Sequence, residues 1–161
     1  MPEHLGQSGA TDYDSRSDTL AHIATVRLFL GEAIADLQER AIAHDFSKLD
    51  DPEKAVFDEY TPKLRDSTYG SDEYKRFLAG MGEGLAHHYE VNDHHPEHFN
   101  GGIADMDLIQ LIEMLADWKA ATLRHADGDL DRSISQNAER FGYGPELERI
   151  LRHTAERLGW L

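Results

Sequence analysis

The sequence contains no cysteine. That removes a disulfide framework, a thiolate zinc site and a cysteine nucleophile together. Any metal site must then be built from imidazole and carboxylate. No run approaches the roughly 18 apolar residues of a membrane span, and the N-terminus lacks the basic-then-apolar order of a signal peptide. The expectation is a cytoplasmic protein with no membrane partner. Positive charge is scarce: 16 Lys+Arg stand against 31 Asp+Glu, a formal charge of −15. Such a surface repels nucleic acid and anionic membranes. It still admits a small phosphorylated substrate held by a local metal and one or two lysines. No stretch sustains the two-residue alternation of a strand, and there is no internal repeat.

What is present describes a helical globule. At 161 residues, 40% hydrophobic and 29% charged, the chain is long enough to bury a core and too apolar to be disordered. Residues 1–17 are polar and rich in Gly, Ser and Asp, and read as a flexible N-terminal arm. Residues 18–161 read as a single all-α domain, a bundle of five to seven helices. Ile23, Val26, Leu30, Ile34, Leu37 and Ala41 recur at three- and four-residue steps and predict a first helix from about Asp18 to Ala43. Asp51-Pro52 restarts a helix that Pro62 should bend or end. Ser71 starts the next, with Tyr74, Phe77, Leu78, Met81, Leu85 and His88 on one face. Gly80, Gly82 and Gly84 cost that helix about 1 kcal/mol each and suggest close approach of another helix or a ligand. Asn92 to Gly102 is a loop, and a largely apolar helix should run from about Asp105 to His125. Leu130 to Phe141 and Glu146 to Leu158 complete the bundle. The aspartates around Gly128 lack calcium-loop spacing and read as a capping turn.

The chemistry concentrates in one stretch. Five of the ten histidines, His87, His88, His94, His95 and His98, fall within twelve residues. Imidazole is the side chain that binds transition metals and moves protons near neutral pH. His44-Asp45 is the sharpest short motif, because adjacent residues near a helix end can converge on one ion. The plain alternative is a helix-terminal His with Asp45 capping the next turn. His22 sits on the edge of the first apolar face. Asp117 lies inside an apolar arc, a costly place for an isolated carboxylate unless it binds an ion or a buried cation. The candidate metal ligands are therefore His22, His44, Asp45, His87, His88, His94, His95 and Asp117. They suit one or two divalent transition ions, Mn, Fe, Zn, Co or Ni.

The order of these residues, His, then His-Asp, then paired His, then a late Asp, resembles the HD-domain superfamily of metal-dependent phosphohydrolases. That resemblance implies an all-helical HD-like fold. It implies that His22, His44, Asp45 and Asp117 hold one metal, and that His87 or His88 with His94 or His95 adds a second. Lys48 matches a lysine that often follows the Asp, and with Asp45 it would serve catalysis and hold phosphate. His98, or the spare member of a histidine pair, would protonate the leaving oxygen. Tyr69 and Lys75 would line the substrate pocket. The expected activity is hydrolysis of a nucleotide or other small phosphate ester. Some HD-like proteins are instead di-iron oxygenases, and a non-catalytic, metal-stabilised helical binding protein is the reading from another class. A homo-oligomer stays open. A closer resemblance, to a family of small bacterial and phage proteins of unknown function, runs through His44-Asp45-Phe46-Ser47-Lys48, Tyr69-Gly70-Ser71, His87-His88-Tyr89, Asn92 to His98 and Glu113 to Lys119. It implies no activity of its own.

Overall fold

Helices account for the ordered elements of the computed structural model, which describes residues 13–68, 70–124 and 128–161. Among them are seven α-helices and no strand: α1 (Arg16–Ala43), α2 (Glu53–Asp66), α3 (Asp72–Gly80), α4 (Gly82–Val91), α5 (Leu108–Thr122), α6 (Leu130–Phe141) and α7 (Pro145–Arg157). Short 3-10 turns at Phe46–Leu49, Pro96–His98 and Gly102–Asp105 link them. The expected all-α class holds. Most of the arm expected at residues 1–17 lies outside the described residues; of its last five, Arg16 and Ser17 already belong to α1.

By internal contacts the chain divides between Asp36 and Leu37. The described part of the first unit is the N-terminal portion of α1, and α1 has no buried residue. Its apolar face, expected to pack inward, carries Leu20, Ile23, Val26, Leu30 and Ile34 exposed.

The second unit, residues 37–161, holds the core. Ile103, Met114, Leu115, Trp118, Leu130, Ile134, Leu151 and Ala155 form one buried cluster drawn from the Gly102–Asp105 turn and from α5, α6 and α7. Helix α5 opens with a capping box, in which Asp107 and Gln110 satisfy each other's backbone N–H. Asp129 caps α6 and Gly142 ends it in the left-handed conformation. The Lys119 ammonium donates to the Trp160 carbonyl, tying the chain's end to α5.

Helices α2 and α4 pack closely, and the glycines explain how. A Cβ at Gly84 would lie 2.7 Å from Val56, and one at Gly80 would lie 2.6 Å from Tyr60. Both glycines are thus needed where α2 passes. Gly82 has φ +47, a left-handed value that breaks the expected single helix into α3 and α4. Pro62 does not end α2, which continues to Asp66. Pro62 and Asp58 are both exposed, so water can satisfy the carbonyl that loses its i+4 donor.

Candidate metal centre

The site forms where α1 ends. The helix stops at Ala43, and Asp45 takes φ 60, the one positive φ outside glycine among the described residues. A left-handed Asp costs about 1–2 kcal/mol and turns the chain so that neighbouring side chains meet. His44 Nε2 lies 3.5 Å from Asp45 Oδ2 and 3.8 Å from Asp117 Oδ1. On the other side of the Asp45 carboxylate, His88 Nε2 and His94 Nε2 lie 3.5 and 3.6 Å from Oδ1. His95 Nε2 is 2.9 Å from His88 Nε2. The rings of His44 and His94, of His94 and His95, and of His88 and His95 have centroids 4.5, 4.1 and 4.8 Å apart. Besides His44 with His94 and Glu113, two groups of donors result, Asp45 with His88, His94 and His95, and Asp45 with His44 and Asp117, each within 4.8 Å of one another. The Asp45 carboxylate is common to both.

Carboxylates behind the imidazoles fix which nitrogen faces inward. Glu53, fully buried at the first turn of α2, takes His87 Nδ1 on Oε1 at 2.8 Å and His88 Nδ1 on Oε2 at 2.9 Å. Ser47 Oγ donates to the same Oε2, and Asn92 Nδ2 donates to Ser47. The start of a helix favours a buried anion. Glu113, one turn before Asp117 on α5, takes His44 Nδ1 at 2.8 Å and lies 3.3 Å from His94 Nδ1. Arg40 holds Glu113 through Nε at 2.7 Å and also pairs with Asp93. A histidine whose Nδ1–H is taken by a carboxylate presents a bare Nε2 lone pair, the form that binds metal.

The electrostatics agree with a neutral ring for His88, His94 and His95, whereas His44 without an ion is a cation whose Nε2 proton a metal would have to displace. Burial lowers the pKa of His88 and of His94, and takes His95 down to about 3, so these three rings are neutral. His44 lies between Asp117 and Glu113, which raise it to about 10. Burial opposes ionisation of Asp117, but His44 and the neighbouring positive charges win and hold it at about 2. Asp45 is likewise lowered against its burial by Lys48, whose ammonium is 2.5 Å from Oδ2.

Two atoms at the centre of this arrangement are buried and have no hydrogen-bond partner: Asp45 Oδ1 and His94 Nε2. An unpaired buried acceptor costs about 1–3 kcal/mol. Facing His88 and His95 Nε2 atoms also repel unless one carries a proton or a cation lies between them. A divalent ion satisfies all of these groups at once, so the residues present fit a metal.

The structure thus brings His44, Asp45, His88, His94, His95 and Asp117 together. It does not bring the other expected ligands. His22 is exposed and belongs to none of the donor groups. His87 gives Nδ1 to Glu53 and stands 39% exposed. His98 is exposed and bonded to the Tyr89 carbonyl. Lys48 is engaged by Asp45 and lies over the Phe57 ring. Lys75 lines a separate cavity of about 620 Å³ with Gly70, Tyr74, Leu78, Gln136 and Asn137. Tyr69 lies outside the described residues. Sequence reasoning missed Glu53 and Glu113. Both left a signal: Glu113 is four residues before Asp117, and Glu53 precedes Val56, Phe57 and Tyr60 at helical steps.

The fold is all-helical, and it gathers imidazoles and carboxylates in positions that could hold a metal ion. The chain belongs to a family of unknown function (DUF5662), whose profile matches residues 11–158. No curated protein and no solved structure matches it.

Proposed function

We propose that the protein is a metal-dependent phosphohydrolase acting on a small phosphate ester through one or two divalent ions. The observation that carries this reading is the pair of orphaned buried atoms, Asp45 Oδ1 and His94 Nε2, among histidines of which His44 and His88 already have Nδ1 on a carboxylate. The resemblance of the His, His-Asp, Asp order to the HD superfamily supports it. When bound, a divalent ion supplies a water of lowered pKa and polarises a phosphoryl oxygen.

The chain's residues divide the remaining work. Asp45, His88, His94 and His95 would hold one ion, and His44 and Asp117 with Asp45 would hold a second. Glu53 and Glu113 hold the rings with Nε2 inward. Lys48 offsets part of the negative charge of Asp45 and positions it. Asp117, ionised at neutral pH, can accept a hydrogen bond from water or substrate.

The test is turnover of p-nitrophenyl phosphate, bis-p-nitrophenyl phosphate and nucleoside phosphates by untagged protein loaded in turn with Mn, Fe, Zn, Co and Ni. Turnover that chelation abolishes, that metal restores and that Asp45→Asn and His94→Ala remove is expected. Absence of turnover with metal bound refutes hydrolysis. A second reading, oxygen-dependent oxidation at iron, is favoured by the count of four inward imidazoles, a set that suits iron as well as zinc. Bound iron with a visible absorption band, and oxygen consumption without phosphate release, would select it. Metal bound with neither activity would leave a metal-stabilised helical binding protein.

A further inference from the structure

Beside the centre runs a groove of about 420 Å³, within the size range of small-ligand pockets. Leu37 and Ala41 of α1 form one wall, and Ile112, Ala116 and Ala120 of α5 form the other. His44 and Asp117, one of the two ligand groups, open into it. The lining is otherwise carbon apart from Arg40 and Glu113, which are paired with each other.

Charge narrows what such a groove can take. Arg40 serves both Glu113 and Asp93, and Lys48 serves Asp45. A di- or triphosphate arriving here would meet Glu113 and Asp117, and among the described lining residues both cationic groups, Arg40 and His44, already face carboxylates. A single phosphoryl group can be met by the ions, and the rest of the ligand must lie along the apolar walls. Small side chains at Ala41, Ala116 and Ala120 leave the width for a short alkyl chain or one aromatic ring. Ala120 is exposed, so the groove is open to solvent at one side.

Taking the phosphohydrolase reading as its basis, we infer that the groove binds the apolar alcohol portion of a phosphate monoester, with the phosphate at the His44/Asp117 end. The substrate class is then a monophosphate of an alkyl or aryl alcohol rather than a nucleoside polyphosphate. The walls contribute by removing apolar surface from water, which is worth roughly fourfold in affinity for each methylene buried.

Non-hydrolysable probes test this apart from turnover. Methyl-, butyl-, hexyl- and phenylphosphonate are titrated calorimetrically into the Mn-loaded protein and into Mn-loaded Ala120→Trp, with metal content measured on each sample. Affinity should climb by about threefold to fourfold per methylene until the groove is filled, and the tryptophan should flatten that climb. Affinity independent of chain length, or no binding of any phosphonate, overturns the inference. So does a concentration-dependent dimer that Ala120→Trp dissociates while chain length has no effect, since a second copy would then be the occupant. A clear chain-length dependence together with no hydrolysis of the corresponding phosphates overturns the phosphohydrolase reading alone and leaves the groove's ligand class standing.

Discussion

Replacing Glu53 separates the metal centre from its support. Glu53 is fully buried and touches no ion-facing atom; it acts through His87, His88 and Ser47. Glu53→Ala leaves the Nδ1–H of His88, a residue 1% exposed, and the Ser47 hydroxyl without their acceptor. The buried His88 donor left unsatisfied costs about 1–3 kcal/mol, the half-buried Ser47 hydroxyl adds less, and deleting a buried charge offsets part of this, for a net stability loss of about 1–3 kcal/mol. Freed of its partner, His88 can also move its proton to Nε2 and turn a donor toward the ion. Loss of an orienting carboxylate typically weakens metal binding about 10- to 100-fold.

Glu53→Gln should behave differently. Its single carbonyl oxygen can keep His88 and Ser47, which share Oε2, and turn the amide toward His87. His87 is 39% exposed and can switch tautomer against water. Metal affinity should then stay within severalfold of wild type and stability within about 1 kcal/mol. Chelator competition on untagged protein reads the affinity, and urea unfolding in chelator reads the stability. An alanine variant that binds metal within threefold of wild type would refute the reasoning, as would a glutamine variant as impaired as the alanine one.

Other perturbations probe the same geometry. Asp45→Gly should lose the metal yet, in chelator, unfold at about 1 kcal/mol higher stability than Asp45→Ala, because only glycine adopts the left-handed turn freely; equal urea midpoints would contradict this. Gly84→Ala should cost about 1–3 kcal/mol and weaken metal binding as well, since its methyl pushes α4 off Val56 and with it His88 off Glu53; unchanged thermal midpoint and affinity would argue against that coupling. The metal-free protein should be most stable near neutral pH. His44, raised from 6.5 to about 10, contributes stability fully below pH 6.5 and loses it as pH rises toward 10. His95, lowered to about 3, stays neutral in the fold, so stability falls as pH drops below 6.5 and the unfolded chain takes up the proton. Urea titrations in chelator at pH 5, 7 and 9 should show both limbs, and His44→Gln should remove the alkaline one.

Helix identity was legible because periodicity is local. Leu130 to Phe141 reads as a helix from its apolar spacing and folds as one over those residues. Where backbone conformation decided, the pattern misled. The face from Tyr74 to His88 is continuous in sequence, but Gly82 at φ +47 divides it, and no hydrophobic count registers that. The apolar stripe of α1 shows that helical spacing predicts a face without saying what covers it. At the site, histidines stand out by rarity and were found, whereas Glu53 and Glu113 sit among 31 acidic residues and do not. Only the fold shows that these two lie behind His88 and His44. His22 illustrates the converse: its place in the order of the chain fits a ligand pattern, but it stands exposed on α1 and joins none of the donor groups.

The central claim is that the inward Nε2 atoms and the Asp45 carboxylate hold a metal. Elemental analysis of the untagged protein as isolated, beside Asp45→Gly prepared in parallel, tests it most directly. The account predicts one or two equivalents of a divalent transition metal in the wild type and little or none in a folded variant. Wild-type protein with no metal as isolated, and with no greater affinity than the variant when Mn, Fe, Zn, Co or Ni is added, would contradict it and leave the cluster a hydrogen-bonded structural network.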